Sequence, residues 1–68
     1  MRYMDIYNVI GTDEWGDQAV VATLQAEGYN SYTKAYEQAE ELGFPIGQFL
    51  GGIGTRYRLE KATSVRLP

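Results

Sequence analysis

The sequence predicts a small α+β fold: an antiparallel sheet in ββαβ order with one helix packed across one face. Three observations carry that prediction. Residues 3–10, 18–26 and 55–62 alternate along the chain as strands do. Residues 32–42, YTKAYEQAEEL, repeat apolar positions three or four apart, which is helical spacing. The order strand, strand, helix, strand buries every apolar side only if the helix lies on the sheet.

The first strand, YMDIYNVI, is rich in tyrosine and β-branched residues. Met4, Ile6 and Ile10 share one face with Asn8; Tyr3, Asp5, Tyr7 and Val9 share the other. Both faces are partly apolar. Residues 11–17, GTDEWGD, are dense in turn formers and link the first strand to QAVVATLQA at 18–26. The loop exceeds the tight two-residue type, so a bulge or a splayed tip is expected. Residues 27–31 break the pattern, and Asn30 or Ser31 is placed to cap the helix that follows. Gly43 sits where a left-handed residue ends a helix, and Pro45 prevents continuation. The last strand, TRYRLEKA, sets Tyr57 and Leu59 against Arg56, Arg58 and Glu60. Val65 and Leu67 extend it after a break at Thr63 and Ser64. The expected core is Ile6, Ile10, Val20, Leu24, Ala35, Ala39, Leu42, Tyr57 and Leu59.

At 68 residues the chain is a single domain, residues 1–68, near the lower limit for independent folding. Chains of this size often gain stability by oligomerising or binding a partner. With no cysteine and no histidine, disulfides and the usual zinc sites are excluded. No apolar run at the N-terminus reads as a secretory signal, and none approaches the ~20 residues of a membrane span. A cytoplasmic location without membrane attachment is expected.

The net charge of −3 is unevenly spread. Residues 1–54 hold eight acids and two bases, net −6; residues 55–68 hold Arg56, Arg58, Lys61 and Arg66 against Glu60, net +3. Helix charges run against the dipole, with Lys34 early and Glu40 and Glu41 late. Basic neighbours such as Arg56 or Arg58 would offset those acids, or the acids form a patch for a partner.

The glycine-rich stretch FPIGQFLGGIG is no phosphate loop. It follows a helix and precedes a strand, the reverse of the nucleotide-binding order, and no lysine with serine or threonine follows its last glycine. It reads as a crossover packing Phe49, Leu50 and Ile53, or as an apolar loop that orders on binding. DEWGD lacks the oxygen spacing of a calcium loop. Nucleophilic catalysis has no histidine or cysteine to serve it. Neither an enzyme nor a cofactor is expected.

Trp15 is the residue that stands out. It lies at the hairpin tip among Asp13, Glu14 and Asp17. Its ring either folds back onto the sheet or stands out as an anchor with an acidic rim, and tryptophan is enriched at binding hot spots. Arg56, Tyr57 and Arg58 suggest a platform for single-stranded nucleic acid, but alternation sets Tyr57 on the opposite face from both arginines.

An acidic, cysteine-free chain with a hairpin, the helix SYTKAYEQAEELG and the basic-aromatic strand TRYRLEK resembles small phage-encoded host-takeover and anti-defence proteins. These include RNA-polymerase inhibitors, anti-CRISPR proteins and DNA mimics. The resemblance implies a stoichiometric, non-catalytic inhibitor that binds host nucleic-acid-handling or defence machinery in the host cytoplasm. The residues expected to bind a protein partner are Asp13, Glu14, Trp15, Asp17, Glu37, Glu40 and Glu41. Two alternatives stand beside this: a nucleic-acid-binding domain using Arg56, Arg58, Lys61 and Arg66, and a homo-oligomeric structural subunit.

Overall fold

The computed structural model describes residues 2–47 and 54–68. Strand β1 (Tyr3–Thr12) lies between β2 (Gln18–Glu27) and β3 (Arg56–Arg66), both antiparallel to it, in the order β2-β1-β3. Helix α1 (Ser31–Glu41) packs on one face of the sheet against β2 and β1. The ββαβ order and the α+β class are those the alternation predicts. The roles expected of Phe49, Leu50 and Ile53 fall outside the described residues.

The helix covers a different stripe of β1 from the one expected. Tyr7 and Val9 join Leu24, Ala26, Ala35, Ala39 and Ile46 in the core, with Ala22, Tyr36, Phe44, Tyr57 and Leu59 packed around them. Ile6 is half-buried and Ile10 is buried, but both belong to the opposite face. Val20 and Leu42 are exposed.

The reason lies in Asp5. Its carboxylate makes the stripe of Tyr3, Asp5, Tyr7 and Val9 look like the wet side of the strand. Yet it accepts hydrogen bonds from Ser31 Oγ, in the first turn of the helix, and from Ser64 Oγ at 2.5 Å. Ser31 Oγ spends its proton on Asp5 and so accepts from the Tyr7 hydroxyl at 3.0 Å. A polar group satisfied in this way is buried at little cost.

Ser31 is therefore not a helix cap. Asn30 holds the N-cap position, and neither side chain bonds the helix backbone there. The other end follows expectation. Gly43, at φ 90°, donates to Glu40 O, and Phe44 N donates to Ala39 O. Those two bonds form the Schellman pair, which needs a left-handed residue and so favours glycine.

Each outer strand carries one bulge against the regular β1. In β2 the register shifts so that Val9 pairs with Ala22 and Ile10 with Val20, leaving Val21 extra. In β3, Ile6 pairs with Thr63 and Tyr7 with Lys61, leaving Ala62 extra. Strand β3 therefore runs unbroken through Thr63 and Ser64, with a bulge where a break was expected.

Both sheet edges are partly guarded. Gln38 Nε2 donates to Gln25 O at 3.0 Å, and Lys34 Nζ donates to Glu27 O at 2.7 Å. On β3, Ile46 forms a parallel bridge with Tyr57, and Gly47 N donates to Tyr57 O. These contacts occupy backbone groups that an edge strand otherwise offers to other chains.

Candidate functional site at the hairpin tip

Five residues, Asp13–Asp17, join β1 to β2. Asp13 organises the turn. Its N–H donates to Asp17 O at 3.0 Å, and its carbonyl accepts from Gly16 N at 3.1 Å. Its Oδ1 accepts from the backbone N–H of both Trp15 and Asp17, each at 2.9 Å. A short acidic side chain that bonds its own backbone two residues on is a turn-former by mechanism. Gly16, at φ 86°, closes the turn where a Cβ would be strained.

This bracing fixes the backbone of Trp15, and the side chain projects from it. Trp15 is 79% exposed, so the ring does not fold back onto the sheet. Glu14 and Asp17 are exposed beside it. The tip thus presents one large aromatic on a fixed turn, rimmed by carboxylates.

Glu37, Glu40 and Glu41 are all exposed on α1. Their spacing of three and four sets them on one helical face. The buried positions Ser31, Ala35 and Ala39 define the opposite face, so the acids point away from the sheet. No basic residue stands in the last turn, and Arg58 does not come to them. Arg58 Nη2 instead bonds Glu60 at 3.2 Å and Gln18 at 3.3 Å. Glu40 lies beside Tyr36 and pushes its hydroxyl pKa up. At the other end, Lys34 is directed to a strand carbonyl.

The basic residues do not converge. Arg58 lies on the face away from the helix, opposite Ile10 in register. Lys61 lies on the helix side, 3.4 Å from Asp5. Arg66 pairs in register with Tyr3 near the far end of the sheet. Tyr57 packs against Phe44, ring centroids 5.1 Å apart, so it is not offered as a stacking surface between Arg56 and Arg58.

Sequence reasoning missed the cluster of Asp5, Tyr7, Ser31 and Ser64. No local motif marks it, because its members lie up to 59 residues apart. Hydrogen bonds from Ser31 and Ser64, aided by the Lys61 charge, hold the Asp5 carboxyl below its ordinary pKa. Among the described residues, no group of three or more acidic side chains is placed to hold a metal ion. No described helix is long and apolar enough to cross a membrane.

No family model matches the chain, and neither a curated protein nor a solved structure matches it.

Proposed function

We propose that this chain is a non-catalytic protein-binding module that inserts Trp15 into an apolar pocket on its partner. The observation that carries the reading is the contrast at the tip: a fully braced turn holding a tryptophan that is 79% exposed. A large apolar ring left in water has a favourable transfer free energy waiting for a partner. A fixed backbone reduces the ordering cost of binding. Glu14 and Asp17 favour a pocket with a basic rim.

Host nucleic-acid-handling or defence machinery, met in the cytoplasm, is the partner class that suits these surfaces. Its cationic grooves attract carboxylates as they attract phosphates. The outward face of Glu37, Glu40 and Glu41 supplies a second patch of that sign. Bound there, the chain acts as a phage-type inhibitor by occupying the site.

The test is capture of partners from bacterial lysate on the tagged chain, with and without nuclease, beside the Trp15→Ala variant. A stoichiometric protein that survives nuclease and is lost with Trp15→Ala is the expected result. Trp15 is the sole tryptophan, so its fluorescence then reports docking directly by a shift toward a buried indole. Recovery of nucleic acid, or equal capture by the variant, overturns the reading.

A further inference from the structure

We propose that the chain associates head to tail, the Trp15 tip of one copy seating in a tyrosine-lined cavity at the opposite end of the next copy. The proposal rests on the reading of Trp15 as an anchor and gives that anchor a seat on the chain itself.

The cavity, about 290 Å³, is lined by Arg2, Tyr3, Glu27, Gly28 and Tyr29. These residues stand where β1 begins and β2 ends. Gly28, at φ 99°, turns the chain out of β2, and Tyr29 follows it fully exposed. Tyr3 is 45% exposed. Arg2 is held in place by Glu27, Nε donating to Oε1 at 2.5 Å and Nη2 to Oε2 at 3.1 Å. That pair engages one edge of the guanidinium fork and leaves the other edge for a second carboxylate. An indole between the tyrosines takes the offset or edge-to-face geometry that aromatic rings prefer. A guanidinium fixed beside it adds a cation–π contact, which is strongest with tryptophan.

Charge selects a second copy as the occupant. Lys34 Nζ lies 2.7 Å from Glu27 O, and Arg66 stands opposite Tyr3 in register. Arg2, Lys34 and Arg66 against Glu27 are three bases to one acid, net +2 in a chain of net −3. Asp5 and Lys61, further along the sheet, cancel each other. At the tip, Asp13, Glu14 and Asp17 stand against Arg56, which pairs with Thr12 in register. Three acids to one base leave that end at −2. An aromatic ring with an acidic rim thus faces an aromatic-lined cavity with a basic one.

No chain can fill its own cavity. The ten residues of β1 separate the two ends, by about 30 Å at ~3.4 Å per residue. The contact joins two different surfaces, so each added copy leaves one tip and one cavity open, and growth does not stop at a pair.

Sedimentation equilibrium from about 10 µM to 1 mM tests it, because a contact of one side chain and its rim falls in the weak class below ~1,200 Å². The expected result is a mass that passes that of two chains at low salt and falls back at high salt, where exposed charges are screened. Trp15→Ala and Tyr29→Glu, both at exposed positions, should each stay a single chain, with folding checked by circular dichroism. Mixed, they should form a complex that stops at two chains, since one keeps the cavity and the other keeps the tip. In that mixture only the Tyr29→Glu copy carries a tryptophan, and its emission should shift to the blue only when the other variant is added. Tyr29→Glu should still capture the lysate partner. A one-chain mass for the parent at 1 mM overturns the head-to-tail contact and leaves the capture result untouched. So does a parent that stops at two chains, or a mixture no heavier than its components. Failed capture beside intact association would instead overturn the partner reading alone.

Discussion

Two aspartates show how much a single side chain decides in a chain this small. Asp13 Oδ1 holds two backbone N–H groups of the turn. Asp13→Ala releases both, at a cost of about 1 kcal/mol for an exposed turn, measurable by urea denaturation. The same variant loosens the backbone under Trp15, so its affinity for the captured partner should fall while Trp15 itself is retained. An unchanged affinity would show that the bracing is irrelevant to docking. Asp5 acts through pH. Its bonds to Ser31 and Ser64, with Lys61 nearby, depress its pKa in the folded chain. Its stabilising contribution is therefore fully present above the unfolded value of about 3.9. It is lost as pH falls through the lower folded value. Asp5→Asn should melt lower than the parent at pH 7, and the gap should close on acidification. Glu27, held down by Arg2, shifts in the same direction, so Asp5→Asn should reduce the acid sensitivity without removing it. A gap that stays constant with pH would exclude the role given to the Asp5 charge.

Among the elements, α1 is the one whose charges oppose its own stability. Glu40 and Glu41 stand in its last turn, where the dipole favours cations, and no basic residue accompanies them. Glu41→Lys should stabilise the chain by about 0.3–1 kcal/mol, read by thermal melting. It should also weaken capture of the partner if the outward acids take part in docking. Stabilisation without loss of capture would confine the partner site to the hairpin tip. The helix was also the most legible element. Its period, Gly43 and Pro45 all act locally, and the Schellman bonds formed where the glycine allows them. The start of the helix was less legible. Ser31 has the residue type of a cap, but a distant aspartate competes for its hydroxyl and wins. The bulges at Val21 and Ala62 were equally hidden. They adjust one strand to another, and no residue type in either strand announces them. In β3 the bulge even replaced an expected break.

At the scale of the whole molecule, the element order was legible and the inside of the sheet was not. Period-two alternation says that a strand has two faces, but it cannot rank them when both are partly apolar. Ranking by hydrophobicity chose Ile6 and Ile10, and the helix instead covers Tyr7 and Val9. The exposed tip was readable as a turn among acids, while the fixed geometry that makes Trp15 an anchor needed the hydrogen bonds of Asp13. The inversion of β1 has a consequence for stability. Ile10 lies on the face without the helix, yet it is only 8% exposed, so it is covered within the single chain. Ile10→Ala should therefore cost about 2–5 kcal/mol, as a truncation in a packed core does, read by urea denaturation. A cost below about 0.5 kcal/mol, that of an exposed surface substitution, would show that the face without the helix adds nothing to the stability of the sheet, and that Tyr7, Val9 and the Asp5 network carry the fold alone.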